Sequence, residues 1–139
     1  MIRFTVPGEP VGKGRPRAFR MGNSIRMHTP DATARYENLV ALVARQAMEG
    51  RAPMAGAVSM GLHLVTVPPA SWSKRKRAAA LAGAIRPTTK PDCDNVLKAI
   101  ADACNGIVFI DDKQVCEVTI KKLYGETPGA SVAVAEVLA

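Results

Sequence analysis

The residues whose types and spacing could do chemistry lie in Lys90-Pro91-Asp92-Cys93-Asp94-Asn95-Val96-Leu97-Lys98, followed by Asp102, Asn105-Gly106 and Asp111-Asp112. Asp92 and Asp94 are separated by one residue, so in an extended lead-in their side chains leave the backbone on the same side. If Asp94 caps a helix, Lys98 follows one turn later, at the i,i+4 distance where side chains meet. A second pair of carboxylates, Asp111 and Asp112, returns once that helix has closed. Phosphodiester hydrolysis needs an activated water, neutralisation of charge at phosphorus and help for the leaving oxygen, and carboxylate-held Mg²⁺ supplies all three. Magnesium prefers hard oxygens and keeps several waters, so a few aspartates suffice. Asp92 and Asp94 offer one arm of such a cage, Asp111 or Asp112 the other, and Lys98 can stabilise phosphate charge in the transition state. The expected cofactor is therefore Mg²⁺, with Mn²⁺ as a substitute. Each piece alone has a plainer reading, since an Asp before a helix is a routine cap and Asp-Asp a routine turn. Asp102, one turn beyond Lys98, is read as a helical or structural residue that could pair with it.

The charge balance supports a polyanionic partner. The chain carries a net +7, and it is uneven: residues 1–90 hold fifteen Lys and Arg against four acidic residues, residues 91–139 four against eight. A basic body around a compact acidic patch fits a polyanion-binding protein with a metal in its middle. Two basic stretches are candidate DNA contacts. One is the breaker-rich segment with Lys13, Arg15 and Arg17, the other Lys74-Arg75-Lys76-Arg77, with Lys90 at the edge of the acidic motif. The plainer readings are a flexible basic loop and a solvated helix face. The glycine and lysine pattern near residue 12 is not a P-loop, because the G-x-x-x-x-G-K-[ST] spacing is missing. Aromatics make up only 4%, too few for extensive base stacking.

The elements that must position these residues follow from periodicity. Ile2 to Val6 alternates as a half-buried strand, and Ala18 to Met27 reads as a hairpin turning at Met21-Gly22-Asn23-Ser24. Thr29-Pro30 starts a helix whose apolar positions Tyr36, Leu39, Val40, Val43 and Ala47 carry it to about Met48. His28, just before that start, reads as a local hydrogen-bonding residue. Val58, Met60, Leu62 and Leu64 alternate with polar or small residues as a strand, leaving His63 on its polar face. Ser71 or Ser73 begins a second helix running to Gly83. The central helix buries Leu97, Ile100 and Cys104 and stops at Asn105-Gly106. Strands then run from Val115 to Tyr124 and from Ser131 to Leu138, the last two favouring antiparallel pairing. The sum is an α+β fold in one small domain over residues 1–139, with a mixed or mainly antiparallel sheet of about five strands and about three helices.

At 139 residues and 47% hydrophobic the composition is that of an ordinary soluble domain. Apolar runs fall far short of the ~20 residues of a membrane span, and no signal peptide opens the chain, so a cytoplasmic protein without a membrane partner is expected. Cys93, Cys104 and Cys116 are odd in number and lack metal-knuckle spacing, and are expected as core thiols, with Cys93 pointing inward.

The run Lys-Pro-Asp-Cys-Asp-Asn-Val-Leu-Lys-Ala-Ile-Ala-Asp-Ala-Cys-Asn-Gly over 90–106, followed by Asp-Asp-Lys-Gln-Val, resembles the signature of the RusA family of Holliday junction resolvases. Gly8 to Arg17 resembles that family's N-terminal motif, and Tyr36-Glu37 also matches, so the likeness covers nearly the whole chain. It implies a RusA-like fold and a small homodimeric, Mg²⁺-dependent endonuclease of DNA recombination and repair, often phage- or prophage-encoded. Such an enzyme cuts four-way DNA junctions by paired symmetric nicks. An enzyme of the same metal chemistry with a broader branched-DNA substrate, such as flaps or replication forks, is the first alternative. Position by position, it implies that Asp92, Asp94 and Asp112 are metal-binding catalytic carboxylates, with Asp111 adjacent in the cluster and Lys98 the catalytic lysine. Cys93 and Val96 stand where many relatives carry larger aliphatics, a packing variation. A C2 dimer would present two equivalent sites to the approximate two-fold symmetry of a four-way junction. The competing reading is a junction-binding protein that does not cut, which explains the basic stretches but leaves the acidic cluster idle.

Overall fold

The computed structural model describes residues 1–14, 17–28 and 31–138. Its strands are β1 (Ile2–Pro7), β2 (Arg17–Met21), β3 (Ser24–His28), β4 (Val58–Thr66), β5 (Val115–Tyr124) and β6 (Gly129–Glu136). Its α-helices are α1 (Asp31–Met48), α2 (Lys74–Leu81) and α3 (Cys93–Cys104), with a short 3-10 turn at Asp112–Gln114. Four strands form a mixed sheet in the order β1-β6-β4-β5, while β2 and β3 form a separate antiparallel hairpin turning at Gly22-Asn23. The α+β expectation holds. The Thr29-Pro30 helix start lies outside the described residues.

Alternation builds the core. β1 buries Ile2, Phe4 and Val6, β4 buries Val58, Met60, Leu62 and Leu64, and β6 buries Ala130, Val132 and Val134. Across from them lie Tyr36, Val40, Ala44 and Met48 of α1 and Val96, Ala99, Ile100 and Cys104 of α3. Burying each such Val, Leu or Ile contributes about 1.5–3 kcal/mol. His63 is exposed on the other sheet face, as the alternation requires. Ser73 caps α2, its Oγ accepting from the Lys76 amide at 3.2 Å.

Three expectations are corrected. First, β5 and β6 are not neighbours: β4 lies between them, parallel to β5 and antiparallel to β6. Four residues, 125–128, carry the chain past the end of β4, where the Gly125 amide donates to the Thr66 carbonyl at 3.0 Å. A Cβ on Gly125 would lie 2.5 Å from Val65 Cγ1, so the crossing fits only a residue without one. Gly125→Ala is expected to destabilise the fold by about 1–3 kcal/mol, because stiff, β-branched Val65 must be displaced. Denaturant unfolding with an unchanged midpoint would refute the close crossing. Second, Cys116 is exposed rather than a core thiol, because β5 is an edge strand, and Cys93 is only half-buried. Of the three cysteines only Cys104 is buried, and the loss of solvation pushes its thiol up to about 12. Third, the cap of α3 is Asp92, not Asp94, and its side chain makes no capping hydrogen bond. Asp94 already belongs to the first helical turn.

Candidate active site

Because α3 starts at Cys93, the two aspartates do not leave the chain on one side. Asp92 is exposed on a hollow of about 260 Å³ lined also by Gly12, Lys13, Lys90, Pro91 and Asn95. Asp94 opens on a neighbouring hollow of about 300 Å³ between α3 and β5, together with Lys98, Asp112 and Val118, with Met60 and Leu97 among its apolar lining. The structure thus brings together Asp94, Lys98 and Asp112 and sets Asp92 on a separate wall of the same helix start. A hollow of about 560 Å³ lies on the sheet face that carries His63, beside Arg3, Gly61 and Ser131. It contains no carboxylate, so size does not mark the chemistry here.

Asp111 and Asp112 sit on a turn with its own fastening. Gln114 Nε2 donates to the carbonyls of Met54 and Gly56, both at 2.8 Å, and Gln114 Oε1 accepts from the Asp111 amide at 2.9 Å. The Asp111 carboxylate completes the capping box of this turn. Asp112 also reaches α3: its Oδ2 is 3.4 Å from Lys98 Nζ. The two carboxylates interact through a side-chain hydrogen bond, which pushes Asp112 above the ordinary carboxylate range and holds Asp111 below it. Adjacent carboxylates of this kind repel when both are ionised.

Lys98 does not pair with Asp94. Its ammonium bonds Asp102 Oδ1 at 3.0 Å, and this bond, more than the contact with Asp112, raises it above an ordinary lysine. The other oxygen, Asp102 Oδ2, is 3.1 Å from Lys13 Nζ, which is also 2.6 Å from Glu37 Oε1 of α1. Burial works against the charged Asp102 carboxylate, yet the bonds from Lys98 and Lys13 prevail and hold it below the carboxylate range. Burial likewise opposes the charge on Lys13, and its bonds to Glu37 and Asp102 raise it nonetheless. The result is an alternating chain, Glu37–Lys13–Asp102–Lys98–Asp112, drawn from four segments.

The segment around Lys13 is laid down by its backbone. The Lys13 amide donates to the Asn95 carbonyl at 2.9 Å, and the Gly14 amide to Thr33 Oγ1 at 2.9 Å. Thr33 Oγ1 in turn donates to the Gly12 carbonyl at 3.3 Å. Gly12 passes so close to α3 that a Cβ there would sit 3.1 Å from that of Asn95.

The other expected DNA contacts fall into two groups. Lys74, Arg75 and Lys90 are exposed. Lys76 lies 4.0 Å over the Trp72 ring, and Arg77 donates to the carbonyls of Pro68 and Pro69 at 3.0 and 2.9 Å. Arg15 and the side chain of Arg17 lie outside the described residues.

Among the described residues, no three His, Cys, Asp or Glu side chains are gathered closely enough to hold a metal ion. The donors nevertheless suit one. Asp94 and Asp112 are hard oxygen ligands on one hollow, and Mg²⁺ typically takes one or two carboxylates and completes its shell with water. A divalent cation would also relieve the repulsion between Asp111 and Asp112. Sequence reasoning gave no role to Gln114, Glu37 or Thr33, and it read Asp102 as a helical or structural residue that could pair with Lys98, as it does, without its second bond to Lys13. The only available signal was the Gln three residues after Asp111, the spacing of a capping box.

Residues 7–135 match the model of the family described as Endodeoxyribonuclease RusA. The chain is also similar to the uncharacterized protein YqaN of Bacillus subtilis (strain 168), with 40% identity over 140 residues, covering 99% of this chain and 98% of that protein. The matched span includes the Lys13 segment, α3 and the carboxylate turn, and the chain belongs to the RusA endodeoxyribonuclease family.

Proposed function

We propose that this chain is a Mg²⁺-dependent, structure-specific DNA endonuclease that resolves four-way junctions by paired symmetric nicks, acting as a homodimer in recombination and repair in the cytoplasm. The observation that carries the reading is the hollow shared by Asp94, Asp112 and Lys98. In this reading Asp94 and Asp112 hold the metal, Asp92 adds an oxygen from the head of the same helix, and Asp111 serves chiefly as the cap that shapes the turn. The bound ion would activate water and neutralise charge at phosphorus. Lys98 meets the charge that develops on the phosphate as the P–O bond breaks. Exposed Lys74, Arg75 and Lys90, with Arg15 and Arg17, hold the DNA backbone without reading sequence. All of residues 1–139 act as one domain, two copies of which match the symmetry of the junction.

The test is cleavage of a synthetic four-way junction with Mg²⁺, with Mn²⁺ and with EDTA, beside linear duplex and Asp92→Asn. Paired nicks on opposite strands that require both the metal and Asp92 are expected. Equal cutting of duplex and junction would defeat the claim of structure specificity. Tight junction binding without nicks under either ion would establish a non-cleaving binder instead.

A further inference from the structure

Lys13 belongs to the glycine-rich basic segment that reads as a candidate DNA contact, yet its ammonium faces two carboxylates. Glu37 Oε1 and Asp102 Oδ2 lie 2.6 and 3.1 Å away, and its side chain is 23% exposed. Asp102 spends one oxygen on Lys13 and the other on Lys98, and its side chain is 22% exposed. Lys98 is far more open at 58%, on a long flexible stem, with Asp112 as its only other acidic partner among the described residues.

We propose that Asp102 is a positioning residue that holds Lys98 over the hollow of Asp94 and Asp112, and that Lys13, anchored by Glu37, fixes Asp102 rather than contacting DNA. The proposal rests on the nuclease reading above. Its logic is geometric. A carboxylate gripped at both oxygens cannot swing, so Lys98 is fixed one helical turn from Asp102. Without Asp102, Lys98 would settle on Asp112, the carboxylate needed for the metal. Without Lys13, both oxygens of Asp102 become free for Lys98 and draw it away from the hollow. The backbone bonds from Lys13 to Asn95 and from Gly14 to Thr33 keep this amine turned toward α3.

Single-turnover junction cleavage and junction binding across a salt series, on the full chain, test it. Asp102→Asn is expected to lower the cleavage rate about tenfold or more with KM no higher, as misplacement of a catalytic group does. Asp102→Glu, which keeps a carboxylate within reach of both lysines, should recover most of the rate. Lys13→Met should slow cleavage in the same way, leave the salt slope of binding unchanged, and add little to Asp102→Asn in the double variant. A Lys13→Met protein that cuts at the normal rate but loses about one unit of salt slope would make Lys13 a phosphate contact and overturn the proposal. So would an Asp102→Asn protein of normal rate, or an Asp102→Glu protein as slow as Asp102→Asn. A wild-type chain that cuts no branched DNA with Mg²⁺ or Mn²⁺ would sink the nuclease reading itself, and this inference with it.

Discussion

Asp94→Asn is expected to abolish junction cleavage, by about a thousandfold or more, while junction binding is kept or strengthened. The substitution is nearly isosteric and falls on an exposed position in the first turn of α3, so folding should be untouched. It removes a metal-binding oxygen from the hollow shared with Asp112 and Lys98. It also removes a negative charge that repels DNA phosphates, and for that reason binding should not suffer. Single-turnover cleavage with Mg²⁺, set beside junction affinity measured in EDTA, separates the two effects. Normal turnover with weakened binding would show that Asp94 belongs to the DNA-contacting surface and not to the chemistry.

The largest expected effect on stability comes from a residue with no chemistry of its own. Among the described residues Phe109 is the bulkiest fully buried side chain, and it lies in the connection between α3 and the Asp111–Asp112 turn. Its carbonyl accepts from the Gly106 amide at 2.8 Å, and its backbone bridges to Met54 and Asn105. Phe109→Ala should therefore cost about 3–5 kcal/mol through lost transfer energy and an unfilled cavity. In a chain of this size that lowers Tm by about 10 °C or more. Because Phe109 pins the connection that ends in Asp112, cleavage by the surviving folded protein should fall as well. Thermal unfolding followed by circular dichroism checks the first part. A Tm within a degree or two of wild type would mean that the connection is not held by this ring.

The sequence shows most of the elements because the signals are local. The alternation of Val58 to Leu64 and the helical spacing of α1 and α3 survive into the structure, and His63 falls on the polar face as its register demands. Strand order is different in kind. That β4 lies between β5 and β6 depends on a crossing at Gly125, and nothing in the alternation of either strand announces it. The same holds at the site. The identities of Asp92, Asp94, Lys98 and Asp112 can be read from the motif, but which of them share a hollow depends on where α3 begins, and a shift of the cap from Asp94 to Asp92 rearranges their directions. The partners of Lys13 were out of reach, because Glu37 and Asp102 lie on two helices distant in sequence and composition alone marks any basic glycine-rich segment as a phosphate binder.

The order β1-β6-β4-β5 has a consequence for how the chain comes together during synthesis. The first strand finds its sheet partner only in the last one, with Ile2 opposite Val134 and Pro7 opposite Gly129. Until β6 has left the ribosome, Ile2–Pro7 has no place in the sheet and one edge of β4 stays open, although β4 and β5 can already pair. Such long-range closure gives a high contact order and slow folding. An unfinished chain exposes an apolar strand edge that invites pairing with other chains. The final eight-residue strand, which contributes no residue to the acidic cluster, thus decides when the nascent protein becomes safe from aggregation.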